Sequence, residues 1–332
     1  LEQPETVLLD LLSSPNLRSR RPVYRTYDHQ VLDNTVIGPG ADAALLRIPG
    51  THRGLAVTAD GNHRYVALDP YIGTQAAVAE AARNLVCTGA RPLAVTNCLN
   101  FGNPQRPAVF WQLQESVRGL ADACRAFSLP VVSGNVSLYN ETSGHSIPPT
   151  PVVGMVGVID DLDRRCQAAF QEDGDLVFLL GDTQEELGGS EYLRAMGAEL
   201  AGPPPRVDLE LESRLREAIL ECVQQGALRS AHDVADGGLV IALAESALFG
   251  SRGVRCPSIV GSVSRAALYF GESQARVVVS VTPRRVPELQ QLMAHHRIPL
   301  QALGVIGGEL FQVGPDIRVP LEVLRQAWET PF

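Results

Sequence analysis

The chain has 332 residues, 45% of them hydrophobic and 20% charged, with a formal net charge of −9, a composition that fits a globular protein with room for two ordinary domains. The acidic balance excludes a nucleic-acid binder that works through a basic face. No apolar run reaches the roughly 20 residues of a membrane helix and no charged start followed by an apolar core marks a signal peptide, so a cytoplasmic location off the membrane is expected.

Leu8, Leu9, Leu11 and Leu12, followed by an Arg-rich stretch to Arg21, read as a short helix and connector over residues 1–24. Gly38-Pro39-Gly40-Ala41-Asp42 reads as a turn, with strands at Ala44–Ile48 and Gly54–Ala59 on either side of a connection. The alanine-rich segment from Thr74 to Val86 predicts a helix that stops at Gly89. A second helix is expected over 107–127, where Phe110, Leu113, Val117, Leu120, Ala121 and Cys124 recur at helical spacing. Strands at Val131-Val132 and Val152–Ile159 complete a first domain, assigned to residues 25–168. A charged segment between Arg164 and Asp173 separates it from a second domain at 169–332. There, strands at Leu176–Leu180, Arg276–Val281 and Leu300–Ile306 alternate with helices at Leu209–Gln225, Gly238–Phe249 and Val286–His296. Gly202-Pro203-Pro204-Pro205 reads as a stiff surface loop. Neither G-x-G-x-x-G nor G-x-x-x-x-G-K-[ST] occurs, so mixed α+β layers are expected rather than a dinucleotide-binding sheet.

Two polar loops, each entered from an apolar run, carry the strongest chemical signal. Ser133-Gly134-Asn135-Val136-Ser137-Leu138-Tyr139-Asn140-Glu141 follows Leu129–Val132, and Thr96-Asn97-Cys98-Leu99-Asn100-Phe101-Gly102-Asn103-Pro104 follows Pro92–Val95. Glycine admits close backbone approach, an Asn carboxamide oxygen can ligate a hard cation, and a Ser hydroxyl can bond a substrate oxygen. The same residue types also build ordinary turns. Asp60-Gly61-Asn62-His63-Arg64 with Asp69-Pro70 could hold Mg²⁺ and phosphate or form a plain charged loop. In His232-Asp233 with Asp236-Gly237-Gly238, Asp233 is the metal candidate, Asp236 is read as a helix N-cap, and His232 as either a packed histidine or a proton carrier. Glu272-Ser273-Gln274-Ala275-Arg276 offers phosphate or ribose contacts, or a strand-edge turn. Lys is absent from the chain, so phosphate contacts fall to Arg, backbone amides, metal or another chain. The six cysteines are scattered singly, without zinc spacing, and read as reduced thiols. The start at Leu1 rather than Met reads as a piece of a longer polypeptide or a processed chain.

Taken in order, the segments NCLNFGNP (97–104), SGNVSLYNET (133–142), PTPVVG (149–154), LGGSEYL (187–193) and AHD through GGL (231–239) resemble phosphoribosylformylglycinamidine synthase, from about Tyr27 to the end of the chain. The resemblance is to the second, C-terminal half of the synthetase subunit, in which each half is similar to aminoimidazole ribonucleotide synthetase. It implies an α+β fold with an N-terminal sheet-plus-helices domain that pairs with its pseudo-symmetric mate and a C-terminal α/β-sandwich domain. It further implies ATP-dependent amidation of formylglycinamide ribonucleotide to the amidine in purine biosynthesis. ATP and Mg²⁺ would be the cofactors. The N-terminal half, a glutaminase subunit and a small docking subunit would be the partners. Carried onto this sequence, Asn97 and Gly134 would face ATP, Asn135 would ligate Mg²⁺ and Ser137 would contact the ribonucleotide, with no catalytic base in this half. The first half's Glu-Ser-His-Asn-His-Pro motif is matched by Asp60–Tyr65, which puts Asn62 where the catalytic histidine stands, and an Arg-Asp pair is matched by Arg83-Asn84. An amide neither shuttles protons near neutral pH nor binds Mg²⁺ like a carboxylate. The implied second site is therefore chemically silent, and Asp60, Asn84, Asp233, Glu272, Ser273 and Gln274 are its expected nucleotide or metal contacts. Two rival readings remain: a nucleotide-binding structural module without turnover, and a self-sufficient homodimeric relative of aminoimidazole ribonucleotide synthetase.

Overall fold

The protein is described by a computed structural model covering residues 3–331. In chain order the first part contains helices α1 (Pro4–Ser13) and α2 (Arg21–Tyr24), strands β1 (Thr35–Ile37), β2 (Ala44–Arg47) and β3 (Gly54–Asp60), and helices α3 (His63–Leu68) and α4 (Pro70–Cys87). Strand β4 (Arg91–Asn100), helix α5 (Pro107–Ala126), strand β5 (Val131–Ser137), the small hairpin β6 (Glu141–Thr142) and β7 (His145–Ser146), and strand β8 (Thr150–Ile159) follow. Six of these strands form one sheet in the order β1-β2-β3-β8-β4-β5. All neighbours are antiparallel except β4 and β5. The 20-residue helix α5 supplies the crossover that a parallel pair requires.

This sheet is covered on one face only. Along β3 buried and exposed residues alternate, and Leu45, Ala56, Val95, Val153 and Met155 pack against Ala77, Val78, Ala81 and Ala82 of α4 and Leu120 and Ala123 of α5. Helix α4 is built for that position: Asp69 caps it by accepting from the Tyr71 and Ile72 amides, Pro70 opens it, and alanines let it sit close to the strands. Gly119 of α5 lies so near α4 that a Cβ there would stand 2.3 Å from the Tyr71 carbonyl oxygen. The outer face leaves Leu46, Leu55, Val57 and Leu93 exposed. At its edge, β5 is solvent-facing along nearly its whole length.

The second part contains β9 (Leu176–Leu180), α6 (Glu191–Ala195), α7 (Leu209–Gln224), β10 (Ser230–Asp233), α8 (Gly238–Gly250), β11 (Val254–Cys256), α9 (Arg265–Phe270), β12 (Val277–Val281), α10 (Val286–His296), β13 (Leu300–Ile306), β14 (Leu310–Val313), β15 (Ile317–Pro320) and α11 (Leu321–Trp328). Seven strands form a sheet in the order β10-β12-β9-β13-β11-β14-β15. Both faces are buried, which is why the inner strand Val277–Val281 is buried throughout, four valines with Ser280 bonded to Ser230, rather than alternating. One face carries α8 with Leu239, Val240 and Leu243, and the other carries α7 and α10 with Leu215, Ile219 and Leu289. Helix α1, far from this sheet in sequence, puts Leu8, Leu11 and Leu12 into the same core as α8 and β14.

The mixed α+β architecture matches expectation. The two polar stretches read as loops are instead the ends of strands: β4 runs on to Asn100 and β5 to Ser137. The parallel ladder between them continues through Thr96–Ser133 to Asn100–Ser137, and its backbone hydrogen bonds hold the strands extended whatever the side chains. Asp236 is not an N-cap. Gly237 occupies that position in α8, at φ 80°, and no side chain caps the helix.

Candidate functional site

The strand ends β4 and β5 bring Asn97, Gly134, Asn135 and Ser137 within one ladder, where Asn97 pairs with Gly134, Cys98 with Asn135 and Asn100 with Ser137. Because successive strand residues point to opposite faces, these pairs divide. Asn97 and Gly134 face the helix side, as does Leu99, which packs on Phe101 and Val109. Asn135 and Ser137 face the outer side with Cys98 and Asn100. A Cβ on Gly134 would stand 2.5 Å from Asn97 Oδ1, so only glycine leaves room for that amide. On the outer side, the Cys98 thiol donates to Asn135 Oδ1 at 3.4 Å, and the Ser137 hydroxyl donates to Asn140 Oδ1 at 3.2 Å. All four candidates are partly or fully exposed. The oxygen donors at Asn135, Ser137 and Asn100 are hard and suit Mg²⁺, but no carboxylate among the described residues is bonded to them, so a cation here would need phosphate oxygens or groups of another chain.

A cavity of about 820 Å³ opens where the ends of β3 and β10 meet α4 and α8, walled by Arg18–Arg21 and by Arg325 and Trp328 of α11. Its floor is acidic: Asp42, Asp60, Glu80, Asp233, Asp236 and Glu245 all line it. Asp60 accepts from Asn84 Nδ2 at 2.7 Å and from the Thr58 hydroxyl at 2.8 Å. Burial, reinforced by the Asp233 charge, still pushes its carboxyl up to about 7. Glu80 is held well above the usual carboxylate range by burial and by Asp60, Asp236 and Asp233. His232 is bracketed by Asp42 (2.9 Å) and Glu245 (3.1 Å). Burial opposes its charge, but these two carboxylates outweigh it and hold the imidazole well above its ordinary value, protonated near neutrality. The other oxygen of Asp42, Oδ2, is buried without a hydrogen-bond partner.

Asp233 lines the cavity but has its carboxylate in the fork of fully buried Arg83, with Nε to Oδ1 at 2.6 Å and Nη2 to Oδ2 at 3.3 Å. Arg83 also reaches Glu212 Oε1 at 2.5 Å and Gln274 Oε1 at 3.2 Å, tying α4 to the second sheet. Asn62 caps α3 through the Arg64 and Tyr65 amides and donates to Asp236. Glu272, Ser273 and Gln274 do not line this cavity. Glu272 accepts from the Glu191 and Gly237 amides and from the Tyr65 hydroxyl, and burial, with Asp236, pushes it up to about 8. Ser273 accepts from the Gln184 amide, and Gln274 is spent on Arg83. Ser273 and Gln274 border a separate cavity of about 500 Å³ with Gln184, Glu186 and Arg206.

Sequence reasoning passed over Asp42, Glu80 and Glu245. Glu80 was within reach, because it stands three and four residues before Arg83 and Asn84 and so shares their helix face. The excess of carboxylates over cations, and the protons they hold as a result, make this floor suited to a cation that brings an anion with it. Among the described residues no group of three or more His, Cys, Asp or Glu side chains is arranged to hold a metal by itself. A divalent cation here would be held by these carboxylates together with phosphate oxygens that arrive with it.

Two family models match the chain: AIR synthase related protein, N-terminal domain, over residues 40–159, and AIR synthase related protein, C-terminal domain, over 172–312. The phosphoribosylformylglycinamidine synthase subunit PurL of Caldanaerobacter subterraneus is 45% identical over 98% of this chain, and that of Thermomicrobium roseum 51% identical over 98%. The chain spans about half the length of these curated relatives, 45% of each. A solved structure described as T. maritima PurL complexed with FGAR superposes with a TM-score of 0.79 at 19% identity, covering 97% of this chain and 53% of that one; at that identity the likeness concerns the fold. Matched domain by domain over most of its length, the chain belongs to the AIR synthase related protein family, with the family's N-terminal and C-terminal domains in tandem.

Proposed function

We propose that this chain is the second half of a phosphoribosylformylglycinamidine synthase subunit and contributes part of an ATP-dependent C–N ligase site in purine biosynthesis. The observation that carries this reading is identity of 45–51% across 98% of the chain with proteins about twice as long. The one-sided sheet supports it: an apolar outer face with an exposed edge strand is what remains when a complementary half is taken away. The two units are taken as residues 25–168 and 169–332, with 1–24 as connector.

In this reading, ATP phosphorylates the amide oxygen of formylglycinamide ribonucleotide, and ammonia then displaces phosphate to leave the amidine. The task is positioning and charge neutralisation rather than acid-base work, which suits a half whose strand ends offer amides and a hydroxyl. Asn97 and Gly134 contact ATP where the strand ends meet solvent, Asn135 supplies an oxygen to Mg²⁺, and Ser137 contacts the ribonucleotide. Ammonia comes from a separate glutaminase subunit docked with the help of a small subunit. A cytoplasmic setting accords with the described residues, among which no helix is long and apolar enough to cross a membrane.

The acidic cavity favours a second, non-catalytic role beside the first: holding a nucleotide diphosphate with Mg²⁺ as a structural element. Asp60, Glu80 and Asn84 would take the cation, with Asp233 oriented behind them by Arg83, while Glu272–Gln274 brace the wall. The test is ADP release dependent on formylglycinamide ribonucleotide, with ammonium as nitrogen source. The chain alone should be silent and should become active on mixing with a complementary N-terminal half. Turnover by the chain alone would favour a self-sufficient homodimer. Silence in a demonstrated complex of both halves would leave only the structural nucleotide module.

A further inference from the structure

Cys98 stands apart from the other cysteines. Cys87, Cys124, Cys166, Cys222 and Cys256 are buried, whereas Cys98 is partly open to solvent. It sits opposite Asn135 in the parallel β4–β5 register, on the outer face of the sheet. Its thiol donates to Asn135 Oδ1 at 3.4 Å, and its sulfur accepts from Asn100 Nδ2 at 3.4 Å. The same Asn100 amide donates to the carbonyl oxygens of Thr150 at 3.1 Å and Cys98 at 3.2 Å, so Asn100 is anchored to the neighbouring strand β8.

An exposed carboxamide on an edge strand rotates freely, and its oxygen and nitrogen ends are close in shape. A ligand oxygen for a divalent cation must present the correct end. A donor on one lone pair of Oδ1 selects the oxygen end and leaves the other lone pair for the cation. The chain from β8 through Asn100 and Cys98 to Asn135 does this with backbone-anchored groups.

We propose that Cys98 is a positioning residue: its thiol, oriented by Asn100, fixes the Asn135 carboxamide so that its oxygen faces the divalent cation of the ATP site. This rests on the reading of Asn135 as a metal ligand. Partners of metal ligands change metal affinity more than substrate affinity, and loss of a weak S–H donor should weaken the cation by about tenfold.

The test uses the synthetase assembled from this chain and its complementary half, with Mn²⁺ followed by electron paramagnetic resonance in the presence of β,γ-methylene ATP. Asn135→Ala defines the site as the Mn²⁺ equivalent it removes. Cys98→Ala should weaken that same equivalent about tenfold, Cys98→Ser should stay within about threefold of the parent because its hydroxyl still donates, and KM for the ribonucleotide should be unchanged in both. The double variant should be no weaker than Asn135→Ala alone. If Asn135→Ala removes no Mn²⁺, the metal reading of Asn135 falls and the proposal with it. If Asn135→Ala removes Mn²⁺ but Cys98→Ala binds it normally, the positioning role alone is overturned. Should Cys98→Ala fail to assemble, the unmodified protein decides: iodoacetamide modification of Cys98 should be slower with Mn²⁺ and the nucleotide analogue than with the analogue alone, and a rate indifferent to Mn²⁺ overturns the proposal.

Discussion

Arg83 lies fully buried between Asp233, Glu212 and Gln274, where its charge is compensated and its removal would strand two carboxylates in the interior. Replacing it with Leu should therefore destabilise the fold by about 3–5 kcal/mol, measured by chemical denaturation; a loss below about 1 kcal/mol would mean that the cluster relaxes by taking up water or protons. Asp60 gives a pH signature. Its carboxyl is raised from an ordinary value of 3.8 to about 7 in the fold, so the folded state holds a proton that the unfolded chain gives up. Its contribution to stability is present below pH 4 and disappears as pH rises through 7. Stability of metal-free protein should fall over that window, and Asp60→Asn should flatten the fall; an unchanged pH profile in the variant would remove Asp60 as its source. Divalent cation and nucleotide should bind more tightly as pH rises through the same range, because they compete with that proton.

The elements explain which residues could be read in advance. Helix α4 was legible in its alanines from Thr74 on, although its capped start at Asp69-Pro70 read as part of a charged loop, and β12 was legible in its valines, because local propensity and burial agree there. The ends of β4 and β5 were not: a run of Ser, Gly and Asn reads as a turn, and only pairing with a neighbour makes it a strand. That pairing also separates Asn97 and Gly134 from Asn135 and Ser137 across the sheet, which sequence adjacency conceals. Gly134 is constrained by its partner strand rather than by its own φ. Gly134→Ala should push the Asn97 amide aside, cost about 1–3 kcal/mol by overpacking and weaken ATP more than the ribonucleotide, as separate KM measurements would register. Equal losses for both substrates would mean that the whole ladder has shifted.

Across the whole molecule the asymmetry is between a sheet buried on both faces and one buried on a single face. The exposed apolar side chains Leu46, Leu55, Val57 and Leu93 predict that the chain by itself self-associates as concentration rises. Val57→Glu should keep it monomeric in sedimentation velocity; a parent chain that stays monomeric at high concentration would mean the face is tolerated in water. In the synthetase, the same substitution should weaken association with the complementary half.

The sequence by itself determined the family, the mixed α+β class, most helices and strands of the core, and the segments proposed to carry chemistry, because these depend on residue type and short-range periodicity. The tertiary structure decided how those segments are used. It put α1 into the second sheet's core, gathered Asp42, Asp60, Glu80 and Glu245 around one cavity, set Asp233 in the fork of Arg83, and turned Glu272–Gln274 inward as supports. Those outcomes depend on contacts between residues far apart in the chain and on the competition of buried charges for a few cations, and neither leaves a local pattern to read.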